Sequence, residues 1–135
     1  MSNATYLDYP HLDELMAFVK GVEALGPELV LLFGSVATGE FTQRSDADVL
    51  VVFERETDWL EVYEYSRGMV QPIVRTISQI KDLVRAGEPF YIQAFLEGIF
   101  LAGDQNTYQR LRAMVDEAIS AHGLVRTAHG WRWER

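Results

Sequence analysis

Two short, uniformly apolar runs lie in the first half of the chain, Leu29-Val30-Leu31-Leu32-Phe33 and Val49-Leu50-Val51-Val52-Phe53. Runs of this length, apolar at every position, read as strands covered on both faces. The first closes on Gly34-Ser35. The second is entered through Asp46-Ala47-Asp48, after a ten-residue spacer, Val36 to Ser45. Two such strands need a layer on each side of the sheet and a compact turn between them. They also hold a glycine turn and a pair of carboxylates at strand ends.

The rest of the chain supplies the layers. Leu12, Leu15, Met16, Phe18, Val19 and Val22 recur near the helical period, which predicts a helix over His11–Ala24 stopped by Gly26-Pro27. Glu28–Phe33 and Ala47–Phe53 are the two strands, and Gly34–Arg44 is a turn with room for one helical turn. Thr57–Arg67 is expected to be a helix ended by Gly68, and Val70–Thr76 a third strand. Pro72 cannot donate to a ladder, so that strand belongs at an edge or at a bulge. Ser78–Ala86 and Pro89–Glu97 read as helices parted by Gly87, Ile99–Ala102 as a short extended piece, and Thr107–Ala121 as a helix; His122–Arg135 has no clear period. The expected class is α/β or α+β: one domain over 1–135, with its core at about 12–121, built on a small mixed sheet of three or four strands flanked by helices.

The two strand ends define a chemistry. Gly34 lets backbone approach a phosphate that a Cβ would obstruct. Ser35 adds a hydroxyl and an N–H, and a helical turn opening there would favour an anion. Asp46 and Asp48 are two apart, so on a strand both carboxylates share one face. Like charges that close repel unless a hard cation such as magnesium lies between them. An oriented triphosphate and metal-held charge are what nucleotidyl transfer requires, together with an activated acceptor oxygen.

Composition narrows the partners. With 20 acidic and 12 basic residues the net charge is −8, the wrong sign for a binder of duplex nucleic acid. The absence of cysteine excludes disulfides and thiolate metal sites and fits a reducing cytoplasm. No apolar stretch approaches the roughly 20 residues needed to span a bilayer, and no signal segment opens the chain. The expectation is a cytoplasmic protein with no membrane partner.

The stretch Leu31–Phe53, LLFGSVATGEFTQRSDADVLVVF, resembles the signature of the polymerase-β-like nucleotidyltransferase superfamily, in particular its small stand-alone prokaryotic members, the minimal nucleotidyltransferases. The resemblance implies the polymerase-β palm-like fold, with Gly34 and Ser35 holding the triphosphate and Asp46 and Asp48 as catalytic ligands of magnesium, in a two-metal site. It further implies ATP or another nucleoside triphosphate as substrate and transfer of a nucleoside monophosphate, AMP, to a hydroxyl. A tyrosine of a helical HEPN-type toxin is an acceptor of that kind, which would make the chain an antitoxin. Two departures stand out. Val36, Ala37 and Thr38 occupy positions where relatives often carry basic residues, leaving phosphate contacts to backbone amides and Arg44. Gln71 falls where relatives carry a third carboxylate, with Glu61 and Glu64 the nearest acids that could substitute.

Other residues carry weaker signals. His11, His122 and His129 have no metal-ligand spacing and read as surface or packing residues. Trp59, Tyr63 and Tyr65 could stack on a base, but read first as core or helix-face residues. Arg75 could reach a phosphate or stand as an exposed edge charge. The tail, with Arg126, His129, Trp131, Arg132, Trp133 and Arg135, is a partner-binding segment or a terminus folded back on the domain. Three functions compete: an active transferase, a catalytically impaired binding module or antitoxin acting by contact or nucleotide sensing, and a small-molecule modifier. The last usually needs a second domain to shape its acceptor pocket. A homo-oligomer is compatible with each.

Overall fold

The computed structural model describes residues 4–66, 68–128 and 130–133, without the side chain of Trp133. The readings made for His129 and Arg135 lie outside the described residues. After a 3-10 turn, Tyr6–Asp8, the chain runs α1 (Leu12–Glu23), β1 (Leu29–Phe33), α2 (Gly34–Thr38), β2 (Ala47–Phe53), α3 (Trp59–Tyr63), β3 (Val70–Thr76), α4 (Ile77–Arg85), α5 (Pro89–Glu97), β4 (Ile99–Gly103), α6 (Gln105–His122), β5 (Leu124–Thr127) and β6 (Gly130–Trp133).

Four strands form one mixed sheet in the order β3-β2-β1-β4. β1 is antiparallel to both β2 and β4, and β2 is parallel to β3. The alternation along each strand sorts the two cores. Val30, Leu32, Val49, Val51 and Phe53 pack on one face with Leu15, Phe18 and Val22 of α1 and Val62 of α3. Leu29, Leu31, Phe33, Leu50 and Val52 pack on the other with Ile80, Ile92, Phe95, Leu111 and Val115 of α4, α5 and α6. β1 and β2 are therefore buried from both sides, as their unbroken apolar runs require. Pro72 lies on β3, an edge strand, where its missing N–H costs the ladder nothing.

Local signals set the boundaries. Thr76 and Gln79 make a reciprocal capping box at the start of α4, Pro89 opens α5, and Gly39 ends α2 at φ 81°. α2 and α3 have five residues each, too few to be stable alone. The fully buried Val36 and Val62 hold them to the sheet, each side chain contributing about 1.5–3 kcal/mol by burial.

One expectation is corrected, and the tail takes one of its two open readings. The helix expected over Thr57–Arg67 spans only Trp59–Tyr63; Asp58 sets its start by accepting from the Leu60 N–H at 2.9 Å. The tail, aperiodic as sequence, forms the antiparallel hairpin β5-β6. Leu124 is buried there, and Trp131 packs against the α4–α6 core. The tail is thus folded back onto the domain.

Candidate active site

The antiparallel register places Phe33, the last residue of β1, opposite Asp48 on β2. The turn into α2 therefore begins beside the Asp48 carboxylate. Gly34 has φ 75°, a conformation that L side chains rarely adopt. A Cβ built on it would lie 2.7 Å from Oδ2 of Asp48. Backbone conformation favours glycine here, and a Cβ would also push the Asp48 carboxylate aside. Next to Gly34, half-buried Ser35 is the second residue of α2, whose N-cap Phe33 makes no side-chain capping bond. The first amides of a helix lack intrahelical partners. The far end of α2 is fastened to Ser35: its carbonyl accepts from the Glu40 N–H at 2.9 Å and from the Thr38 hydroxyl at 3.3 Å.

The charge around this turn is negative. Burial first, and then the Asp46 charge, push the Asp48 carboxyl above its usual value. Asp46 is exposed just before β2. Tyr9, buried beneath, donates its hydroxyl to the Ser45 carbonyl at 2.5 Å. Its own pKa is raised by burial, then by Asp46, Glu14 and Asp48. A half-buried carboxylate that resists ionisation beside a second one is a donor set suited to a hard cation. Magnesium is commonly held by one or two carboxylates, with phosphate oxygens and water completing its shell. Asp46 and Asp48 fit that description. Among the described residues no group of three or more His, Asp or Glu side chains is arranged to hold a metal.

Gly34 and Asp48 open onto a cavity of about 240 Å³, lined also by Phe33, Phe90, Gln93, Ala94 and Glu97. Larger hollows of about 490 and 430 Å³ lie elsewhere, at the end of the sheet marked by Glu28, Glu54 and Thr76, and contain neither residue. Chemistry rather than volume selects the smaller one. Glu97 and Gln93 are four apart on α5, and sequence reasoning missed both. Their i,i+4 spacing marks a shared helix face, but nothing local signals that α5 crosses the end of β1.

The remaining sequence candidates separate clearly. Gln71 pairs with Asp48 in the parallel β2-β3 register, so both side chains are on one face, and no acid stands there. Glu61 and Glu64 are exposed residues of the α3 segment, which packs through Val62 on the opposite face of the sheet. Arg44 is exposed in the loop before β2. Arg75 is neither a free phosphate ligand nor an exposed edge charge: half-buried, it donates to the Tyr91 hydroxyl at 3.1 Å and the Val74 carbonyl at 2.8 Å. Trp59 and Tyr63, expected in a core or on a helix face, form an exposed edge-to-face pair at 5.3 Å, while Tyr65 packs under α1. His11 and His122 pack, their Nε2 atoms hydrogen-bonded to the Gln43 and Arg85 carbonyls. No helix among the described residues is long and apolar enough to cross a membrane.

Comparison with known proteins agrees with this fold. A candidate nucleotidyltransferase from Sulfolobus solfataricus superposes with a TM-score of 0.50 at 24% identity, over 74% of this chain and 85% of that one. A toxin–antitoxin structure with AMP-PNP superposes with a TM-score of 0.56 at 18% identity, over 81% and 86%. At these identities both establish the fold alone. No curated protein sequence gives a significant match. Residues 15–101 match the family model described as nucleotidyltransferase domain, a span that covers both strands, Gly34, Ser35, Asp46, Asp48 and Glu97. The chain is a member of the nucleotidyltransferase domain family.

Proposed function

We propose that this protein is a magnesium-dependent nucleotidyltransferase that moves AMP from ATP to a hydroxyl of a partner protein. The observation that carries this reading is the close approach of Gly34 to Asp48, where a Cβ would displace the carboxylate. It leaves bare backbone beside a carboxylate that burial has made reluctant to ionise. Gly34 and Ser35 bind the triphosphate through backbone amides and the Ser35 hydroxyl. Asp46 and Asp48 hold magnesium, which when bound would neutralise charge on the phosphates and lower the cost of the leaving pyrophosphate. Phe33 and Phe90 give the cavity an apolar wall beside the reacting phosphorus.

A protein acceptor suits a cavity of this size. The likeness to a toxin–antitoxin structure containing AMP-PNP supports a toxin partner, and the minimal nucleotidyltransferase resemblance supports a HEPN-type tyrosine. Incubation with labelled ATP, magnesium and that partner should label the partner, and Asp46→Ala/Asp48→Ala should abolish labelling. Equal labelling by the double variant would sink the reading.

One observation favours a second reading. Gln71 stands beside Asp48, where a further acid would serve metal binding and proton transfer. On that reading the fold binds Mg–ATP and neutralises its partner by contact. Calorimetry would then record binding with no pyrophosphate release.

A further inference from the structure

The site lacks two things that nucleotidyl transfer needs: a cation for the phosphates beyond the metal, and a base for the acceptor hydroxyl. Val36, Ala37 and Thr38 supply no positive charge after Gly34-Ser35, and Gln71 cannot take a proton. Both missing charges are present in the fold, bound to each other. Glu97 lines the cavity that holds Gly34 and Asp48. Its Oε1 is paired with the Arg126 guanidinium, which reaches it from β5 of the C-terminal hairpin. The other oxygen, Oε2, accepts from the Gln93 amide at 3.5 Å.

We infer that Glu97 and Arg126 are an exchangeable pair that separates when Mg–ATP enters, Arg126 passing to the triphosphate and Glu97 becoming the proton acceptor. The inference rests on the nucleotidyltransferase reading. The side chains differ in the way this exchange requires. Glu97 is 20% exposed and Arg126 is 53% exposed, so the carboxylate is fixed in the cavity wall while the guanidinium has solvent to move through. A triphosphate offers a guanidinium more charge than one carboxylate does, in the same forked geometry. The guanidinium carbon also lies 6.0 Å over the Trp131 ring, a weak cation–π contact that swinging away would break at little cost.

Once Arg126 leaves, an uncompensated carboxylate faces the cavity, and it can accept the acceptor hydroxyl's proton. The acceptor oxygen then bonds to the α-phosphorus, and the bond from that phosphorus to the bridging oxygen breaks. The electron pair leaves with pyrophosphate. Arg126 neutralises charge on the departing phosphates. The same exchange gives the resting protein a reason to keep Glu97 paired: a bare carboxylate there would repel incoming nucleotide.

The test uses the full-length protein, Mg–ATP as ligand, calorimetric affinity, pyrophosphate release with the acceptor present, and indole fluorescence. Arg126→Ala should weaken Mg–ATP about tenfold and remove the fluorescence change at Trp131 on binding. Glu97→Gln should leave affinity equal or slightly tighter, yet lower pyrophosphate release by about a hundredfold or more. A pair that merely ties the hairpin down would lower Tm alike in both variants and leave affinity as in the wild type, which overturns the inference. Arg126→Lys, which keeps the charge, should restore most of the affinity and excludes misfolding as the cause. Wild-type protein that binds Mg–ATP but never releases pyrophosphate would overturn the role of Glu97. Wild-type protein that binds no Mg–ATP would overturn the nucleotidyltransferase reading itself, with this inference alongside it.

Discussion

A Cβ on Gly34 would lie 2.7 Å from Oδ2 of Asp48, so the turn that closes β1 and the carboxylate that opens β2 occupy one place. Gly34→Ala must push that carboxylate aside and adopt φ 75° with a side chain. The left-handed conformation alone costs about 1–2 kcal/mol. The variant should fold with a lowered Tm, measured by calorimetric melting, and its affinity for Mg–ATP should fall by more than stability explains. Unchanged nucleotide affinity would mean that the space between these residues is not the binding site.

Asp48→Asn should stabilise the protein while disabling it. The Asp48 carboxyl is raised from 3.8, by burial first and then by Asp46. The folded state therefore holds this proton more tightly than the unfolded chain does. Stability linked to Asp48 is intact below the unfolded value and is lost as pH rises through the raised folded one. At pH 7 the wild type bears that penalty and Asp48→Asn does not, so the variant should melt higher at pH 7 and equally near pH 3. Millimolar magnesium with ATP should raise the wild-type Tm through mass action and leave Asp48→Asn unmoved. A variant that melts lower at neutral pH would show that the carboxylate is a structural anchor.

Asp104 carries the opposite sign. It caps α6 by accepting from the Asn106 N–H at 3.2 Å, and it accepts from the Thr107 hydroxyl at 2.9 Å. The Thr107 bond is the largest cause holding its carboxyl below the usual value, followed by the Asn106 amide. The folded state binds this proton less tightly, so the contribution is full above the unfolded value and lost as pH falls through the lowered one. Asp104→Ala should lower Tm at pH 7, by a margin that shrinks toward pH 2. A margin independent of pH would assign the loss to helix geometry rather than to the charge.

The parts of the fold that were readable share one property, that their signal is local. Leu29–Phe33 and Ala47–Phe53 are apolar because both faces are covered, and Pro72 marks an edge because of its own missing N–H. Gly34, Ser35, Asp46 and Asp48 lie within one hairpin-like unit, so their meeting follows from strand register. Glu97 and Arg126 are not of this kind. They meet because β4 returns beside β1 and α6 carries the chain back to α5, and no short-range pattern encodes that path. The hairpin escaped for a related reason: Val125 and Arg126 are both exposed, so the tail lacks the alternation of a half-buried strand. Trp59 meets the helix-face half of its reading, exposed on α3.

Gln71 offers the sharpest test of what the site lacks. It pairs with Asp48 in the parallel register and is exposed on the same face, so Gln71→Asp adds a carboxylate beside the existing two without disturbing a core. In the absence of metal a third like charge should lower Tm and raise the Asp48 pKa further. With magnesium the three carboxylates form a fuller ligand set, and the loss should reverse. If the natural site is limited by its missing acid, Gln71→Asp should increase pyrophosphate release about tenfold or more, since positioned proton transfer is worth roughly 10²–10⁴ in rate. In the Glu97→Gln background the same substitution should restore turnover, because it places a base beside Asp48 on the neighbouring strand. Restoration would make Glu97 the residue that stands in for the strand acid. If turnover instead stays low while magnesium binds more tightly, the added carboxylate is serving as a ligand alone and the proton must leave by another route.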